Sequence, residues 1–243
     1  MKRKDVSRRT FVAGTLVAAG CATSSAAGVA AAPPSTSAAP APGALPEDFY
    51  DPVPFGFDAK AFGAVLDQPF PHRQVVAATT YVEGTAALAF MENTIKAYID
   101  PMYFHAGPKS VHAAAVFYHG ASVLLALDDA MWAKYPLAES TAMPGAPAKS
   151  DAVPARSNGH AAKMKQLLET YGASYFVCNN ALSGLAGEIA AKVAPAGSTA
   201  TRAQVVAIHD EFVAHFLPAV LLVPAGVAAI NAAQEARFTF LRA

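Results

Sequence analysis

Residues 171–182, Tyr-Gly-Ala-Ser-Tyr-Phe-Val-Cys-Asn-Asn-Ala-Leu, decide how the chain folds. Gly172 follows a segment, residues 161–171, with helical spacing, and it suits the left-handed residue that closes a helix. Residues 174–178 are then a short apolar run ending in Cys178, and Asn179 or Asn180 is the kind of residue that starts the next helix, over residues 181–193. Gly184 and Gly187 weaken that helix without ending it. A helix, a strand and a helix within so few residues is the unit of an alternating α/β chain.

The same alternation runs outward in both directions. Upstream, residues 74–81 (QVVAATTY) and 111–118 (VHAAAVFY) read as strands. Each precedes a helical pattern: residues 84–98 through Leu88, Met91, Ile95 and Tyr98, and residues 123–135 through Leu124, Leu127, Met131 and Tyr135. Downstream, residues 201–216 and 227–237 read as helices, and residues 219–223 (AVLLV) and 238–241 as strands. Several strands are apolar throughout, which requires cover on both faces and therefore a mainly parallel sheet. The expectation is a three-layer α/β/α domain with five strands, spanning residues 71–243, the strand order being open.

The rest of the chain reads differently. Residues 33–54 are rich in proline, alanine and serine, and we read a linker that reaches residue 70 before the first strand. A second low-complexity stretch, residues 136–158, is expected to be a surface insertion. Ahead of both, residues 1–32 have a basic start followed by an apolar run too short to span a bilayer. Within them Ser7-Arg8-Arg9-Thr10-Phe11 matches the twin-arginine export signature. A periplasmic or secreted location follows. Ala18-Ala19-Gly20-Cys21 lacks the usual leucine of a lipoprotein box, so lipidation of Cys21 is the lesser expectation.

Five of the 18 basic and one of the 18 acidic side chains lie in residues 1–32, which leaves 13 against 17 and a net charge near −4. That balance argues against a nucleic-acid partner. The chain has two cysteines, Cys21 and Cys178, so export leaves Cys178 alone. A single thiol in an oxidising compartment is inert and buried, paired between subunits, or kept for reactivity.

Cys178 is the first candidate site residue. At a strand end before a helix, unpaired N–H groups and the helix dipole favour a thiolate. The plain alternative is a small apolar residue ending a core strand. His119, in the turn Tyr118-His119-Gly120 after the second strand, is the second candidate, as a base or positioning group; the alternative is a histidine bonded to loop backbone. Glu83-Gly84-Thr85 and Pro224-Ala225-Gly226 complete the expected rim, and both also read as turn and cap residues. His209 and His215 lie six apart on one helical segment beside Asp210 and Glu211, a pattern of a solvated face rather than a metal site. No phosphate loop, His-Glu-x-x-His or Gly-x-Ser-x-Gly motif occurs, so no cofactor or metal is expected.

Three blocks together, residues 116–125 around Tyr118-His119-Gly120, residues 171–182 around Cys178, and residues 222–230 around Pro224-Ala225-Gly226, resemble the DsrE-like proteins of sulfur metabolism. The resemblance covers residues 72–243 apart from the insertion. It implies an α/β/α fold with a parallel sheet, assembly into homo- or hetero-oligomers, and a persulfide carrier in which Cys178 accepts sulfane sulfur from a donor protein and passes it to an acceptor, with His119 positioned nearby. The competing expectation is a non-enzymatic, oligomeric small-molecule binder in which Cys178 is structural.

Overall fold

The computed structural model describes residues 47–103, 107, 110–141 and 156–243. The export signal, the first part of the linker and residues 142–155 of the insertion lie outside the described residues.

The expected alternation is present. The elements are α1 (Ala59–Leu66), β1 (His72–Ala78), α2 (Glu83–Ile99), β2 (Val111–Phe117), a 3-10 helix (Gly120–Ala126), α3 (Asp129–Lys134), a second 3-10 turn (Leu137–Thr141), α4 (Ala161–Tyr171), β3 (Ser174–Cys178), α5 (Asn179–Val193), α6 (Arg202–Ala214), β4 (Val220–Val223), α7 (Gly226–Glu235) and β5 (Thr239–Arg242). The five strands form one sheet in the order β4-β3-β2-β1-β5. Every pairing is parallel, with Val76 opposite Ala115 and Leu241, and Val177 opposite Phe117 and Leu222.

Side chains alternate between two cores, as a pleated strand requires. Val76, Ala78, Ala115, Phe117, Tyr175 and Val177 join a large core with α2, α4, α5 and α6. Val75, Ala77, Ala114, Val116 and Phe176 join a smaller one with α1 and α7. Small alanines in β1 and β2 let helices approach the sheet closely, and β2, at the centre, is buried along its whole length. Gly172 ends α4 at φ 70°, its N–H donating to Leu168 O (2.8 Å) and that of Ala173 to Leu167 O (3.3 Å). This is the left-handed cap that the sequence requires.

Two expectations need correction. Residues 123–135 do not form one helix. At Leu127 the chain makes a β-bridge with Phe216, the N–H of Leu217 donates to Ala126 O (2.7 Å), and that of Asp128 donates to His215 O (3.0 Å). Pairing with the α6–β4 connection takes the backbone groups that a continuous helix would use, and Asp128 Oδ1 then caps α3 from Met131 N at 3.1 Å.

Of the two forms expected of a proline-rich linker, disordered or draped over the domain, the chain takes the second from residue 47 onward, and Ala59–Leu66 adds a helix that the linker reading did not include. Phe49 and Val53 are buried in the large core. The Arg202 guanidinium donates to the carbonyls of Phe49, Asp51 and Pro52 at 3.3, 2.7 and 3.2 Å. The chain then enters α1, capped by Asp58 Oδ1 from Ala61 N at 2.8 Å, and Phe62 packs edge-on against Phe176. Prolines obscured this in the composition, because an arm held by its carbonyls needs no helical or strand period.

Below the smaller core, Arg73 gathers the ends of α1 and α7, donating to Leu66 O (3.2 Å), Gln68 O (2.8 Å), Phe70 O (3.2 Å) and Ala236 O (2.7 Å). A cation at two helix C-termini opposes both dipoles. Beside it His112 lies between Phe70 and Phe238, ring centroids 5.2 and 5.8 Å away, and neither ring nitrogen has a hydrogen-bond partner among the described residues. Burial, helped by the Arg73 charge, pushes its pKa from 6.5 down to about 4.

The folded protein thus keeps His112 neutral where an unfolded chain would protonate it. Its stability contribution is complete above pH 6.5 and falls as the pH drops towards 4. Moving from about pH 7.5 to about pH 5 should cost about 2 kcal/mol from this group. Urea unfolding at the two pH values measures it, and His112→Leu should remove that part of the slope; an unchanged slope in the variant would clear the imidazole.

Candidate functional site

The strand order creates the site. Successive crossovers β1 to β4 carry their helices on the large-core face, whereas the chain leaving β4 enters α7 on the opposite face. At the carboxyl ends of β3 and β4 the chain therefore diverges, α5 to one face and α7 to the other. That divergence opens a crevice where α/β sheets bind ligands.

The crevice is a cleft of about 440 Å³. Its walls are the turn Tyr118-His119-Gly120, Cys178 with the α5 residues Asn180, Ala181, Gly184, Leu185 and Glu188, and Ala225-Gly226-Val227 at the start of α7. The two residues singled out by sequence, Cys178 and His119, thus border the same space. Cys178 is a free thiol and only 5% exposed. It occupies the cap position of α5 with extended backbone, and no side chain caps that helix start. The first-turn N–H groups of α5 are left for whatever the cleft holds.

His119 sits on the exposed rim, and its backbone is fixed from below. Its N–H donates to Ser122 Oγ (3.2 Å), while its carbonyl accepts from Ser122 Oγ (2.7 Å) and Ser122 N (2.8 Å). Ser122 is fully buried, so the turn is held from below while His119 lines the cleft.

The other expected rim residues divide. Ala225 and Gly226 line the cleft, and Gly226 is there for a steric reason. A Cβ at this position would run into Tyr118 Cβ and stand 3.0 Å from Tyr118 Cα, so the start of α7 reaches the end of β2 only without a side chain. Glu83 does not line the cleft. Its carboxylate accepts from Thr79 N (2.6 Å), Thr79 Oγ1 (2.5 Å) and Thr80 N (3.1 Å), and Thr80 Oγ1 accepts in return from Glu83 N (3.1 Å). Burial raises its pKa, but these bonds and the Arg242 charge outweigh it, and the net direction is downward.

The reading of His209 as part of a solvated face is corrected: its ring is completely buried, with Nε2 2.8 Å from Asn179 Oδ1 and Nδ1 3.1 Å from Asp210 Oδ1. His215 stays at the surface, Nδ1 2.8 Å from Asp128 Oδ2. No group of three or more His, Cys, Asp or Glu side chains among the described residues is arranged to hold a metal ion. Sequence reasoning missed Glu188 as a wall of the cleft, although the spacing 181, 184, 185, 188 marks one stripe of a helix.

Chemically, the cleft offers a nearly buried thiol under the N–H groups of α5, an imidazole on the rim, and an apolar wall. The same wall carries the Glu188 carboxylate. The close approach at Gly226 is testable: Gly226→Ala should destabilise the protein by about 1–3 kcal/mol, as overpacking does. Gly120→Ala, where a Cβ meets nothing within 4 Å, should be far milder. Denaturant unfolding of the two variants compares them, and equal stabilities would contradict the packing described. No family model matches the chain, and no curated protein or solved structure does either, so the chemistry of the cleft is read from its own residues.

Proposed function

We propose that this is an exported DsrE-like protein that carries sulfane sulfur on Cys178. The observation that carries the reading is the position of the thiol, at the N-terminus of α5 inside the cleft at the switch point, with His119 on the same rim. The thiolate attacks the outer sulfur of a donor persulfide, R–S–SH. The donor S–S bond breaks, a Cys178–S–SH bond forms, and R–S⁻ leaves. An acceptor thiolate then takes the same outer sulfur and returns the Cys178 thiolate, with no net oxidation. His119, on the same rim, can position the donor. The twin-arginine signature in residues 1–32 supports delivery outside the cytoplasm, and donor and acceptor would act there too. The resemblance also supports assembly into oligomers.

A second reading, a small-molecule binder with a structural cysteine, is favoured by the 5% exposure of Cys178. Incubation with inorganic polysulfide followed by intact mass measurement separates the two. The carrier should gain one sulfur, lose it to a thiol reductant, and fail to gain it as Cys178→Ser. A wild-type protein that gains no sulfur would leave the binder.

A further inference from the structure

We infer that His209 is a positioning residue for Cys178, acting through Asn179; this rests on the carrier reading above. Asn179 is the first residue of α5 and follows Cys178 directly. It is buried, and its side chain faces away from the cleft. Its Nδ2 donates to the carbonyl of Val53 at 2.9 Å. A carbonyl only accepts, so the amide orientation is fixed and Oδ1 is the atom facing His209. Nε2 of His209, 2.8 Å away, must then carry the hydrogen, and the other ring nitrogen meets the Asp210 carboxylate. Val53, Asn179 and His209 form one hydrogen-bonded chain from the N-terminal arm to α6.

Asn179 is the first residue inside α5, the cap position being held by Cys178, so its side chain is not the cap of this helix. Here both ends of the amide are engaged elsewhere, and α5 begins with no side-chain cap. His209 therefore acts on the site through the backbone: with its Oδ1 held by the His209 ring and its Nδ2 by Val53, Asn179, the residue next to the thiol, is fixed. A leucine at this buried position, among Val205, Ile208 and Phe212 of the same helix, could not make that bond. Loss of the ring would leave Asn179 Oδ1 as a buried acceptor without a donor and loosen the start of α5 next to the thiol.

The test is the rate at which iodoacetamide alkylates Cys178 near neutral pH in the full chain carrying Cys21→Ser, so that each added mass belongs to Cys178, followed by intact mass, with thermal unfolding recorded on each sample. His209→Leu should slow the reaction at least about tenfold, the scale of one lost hydrogen bond to a buried group. His209→Gln, whose amide N–H can reach Oδ1, should restore most of that rate. Asn179→Ser removes the link from the other side and should be slow as well, which keeps the test decisive if the leucine variant does not fold. All variants should react alike in denaturant. A wild-type thiol that reacts while the leucine or serine variant, folded, reacts equally fast would overturn the positioning role alone. A folded wild-type protein in which Cys178 does not react at all would overturn the carrier reading, and the positioning role with it.

Discussion

The hand of the β-crossover governs this molecule. Parallel strands joined through helices connect almost always in the right-handed sense. Four strands laid down in one direction, β1 to β4, therefore keep their helices on one face, and a chain that returns to pair β5 beside β1 must do so on the other. The return spans four strand spacings, about 19 Å, and α7 runs back from the end of β2, where Gly226 meets Tyr118, to the start of β1, where Ala236 O accepts from Arg73. The two unequal cores follow from that single reversal. So does the crevice between the ends of β3 and β4, because only there do neighbouring strands send their chains to opposite faces.

Everything at the site is arranged around closing this crevice on one side while leaving it open on the other. Gly226 brings α7 against Tyr118, and Ser122 holds the His119 turn by its backbone. On the far side of α5 the N-terminal arm is anchored by Asn179 and by Ser183, whose Oγ accepts from Val53 N at 2.9 Å. The thiol thus stands between two supported walls, and the helix start beneath it is free of a side-chain cap. A cap from a serine or aspartate would have stabilised the helix and filled the place where an anion would sit.

The sheet and its order of elements were legible because they rest on local signals. Apolar strands, a helix-ending Gly172 and small residues at β1 and β2 need no distant partner to be recognised. The position of Cys178 and His119 at strand ends was legible for the same reason, and parallel pairing of β2 with β3 then brings both to one edge. What escaped the sequence depends on contacts far apart in the chain. The break at Leu127 is caused by Phe216, the order of residues 47–70 by Arg202 and α5, and the burial of His209 by Asn179, thirty positions away. A charged neighbour, Asp210, made that histidine look like a surface residue, although the two side chains of adjacent helical residues point in different directions. Gly226 was read as a turn residue, while its reason is the backbone of Tyr118.

The central claim is that Cys178 is kept as a thiol in order to carry sulfur, and the protein's own mass in its native compartment tests it most directly. Material isolated quickly under non-reducing conditions, with no sulfur donor added, should contain a population heavier by one sulfur atom, mapped to the Cys178 peptide and removed by a thiol reductant. A single unmodified mass, unchanged by growth on reduced sulfur compounds, would contradict the account.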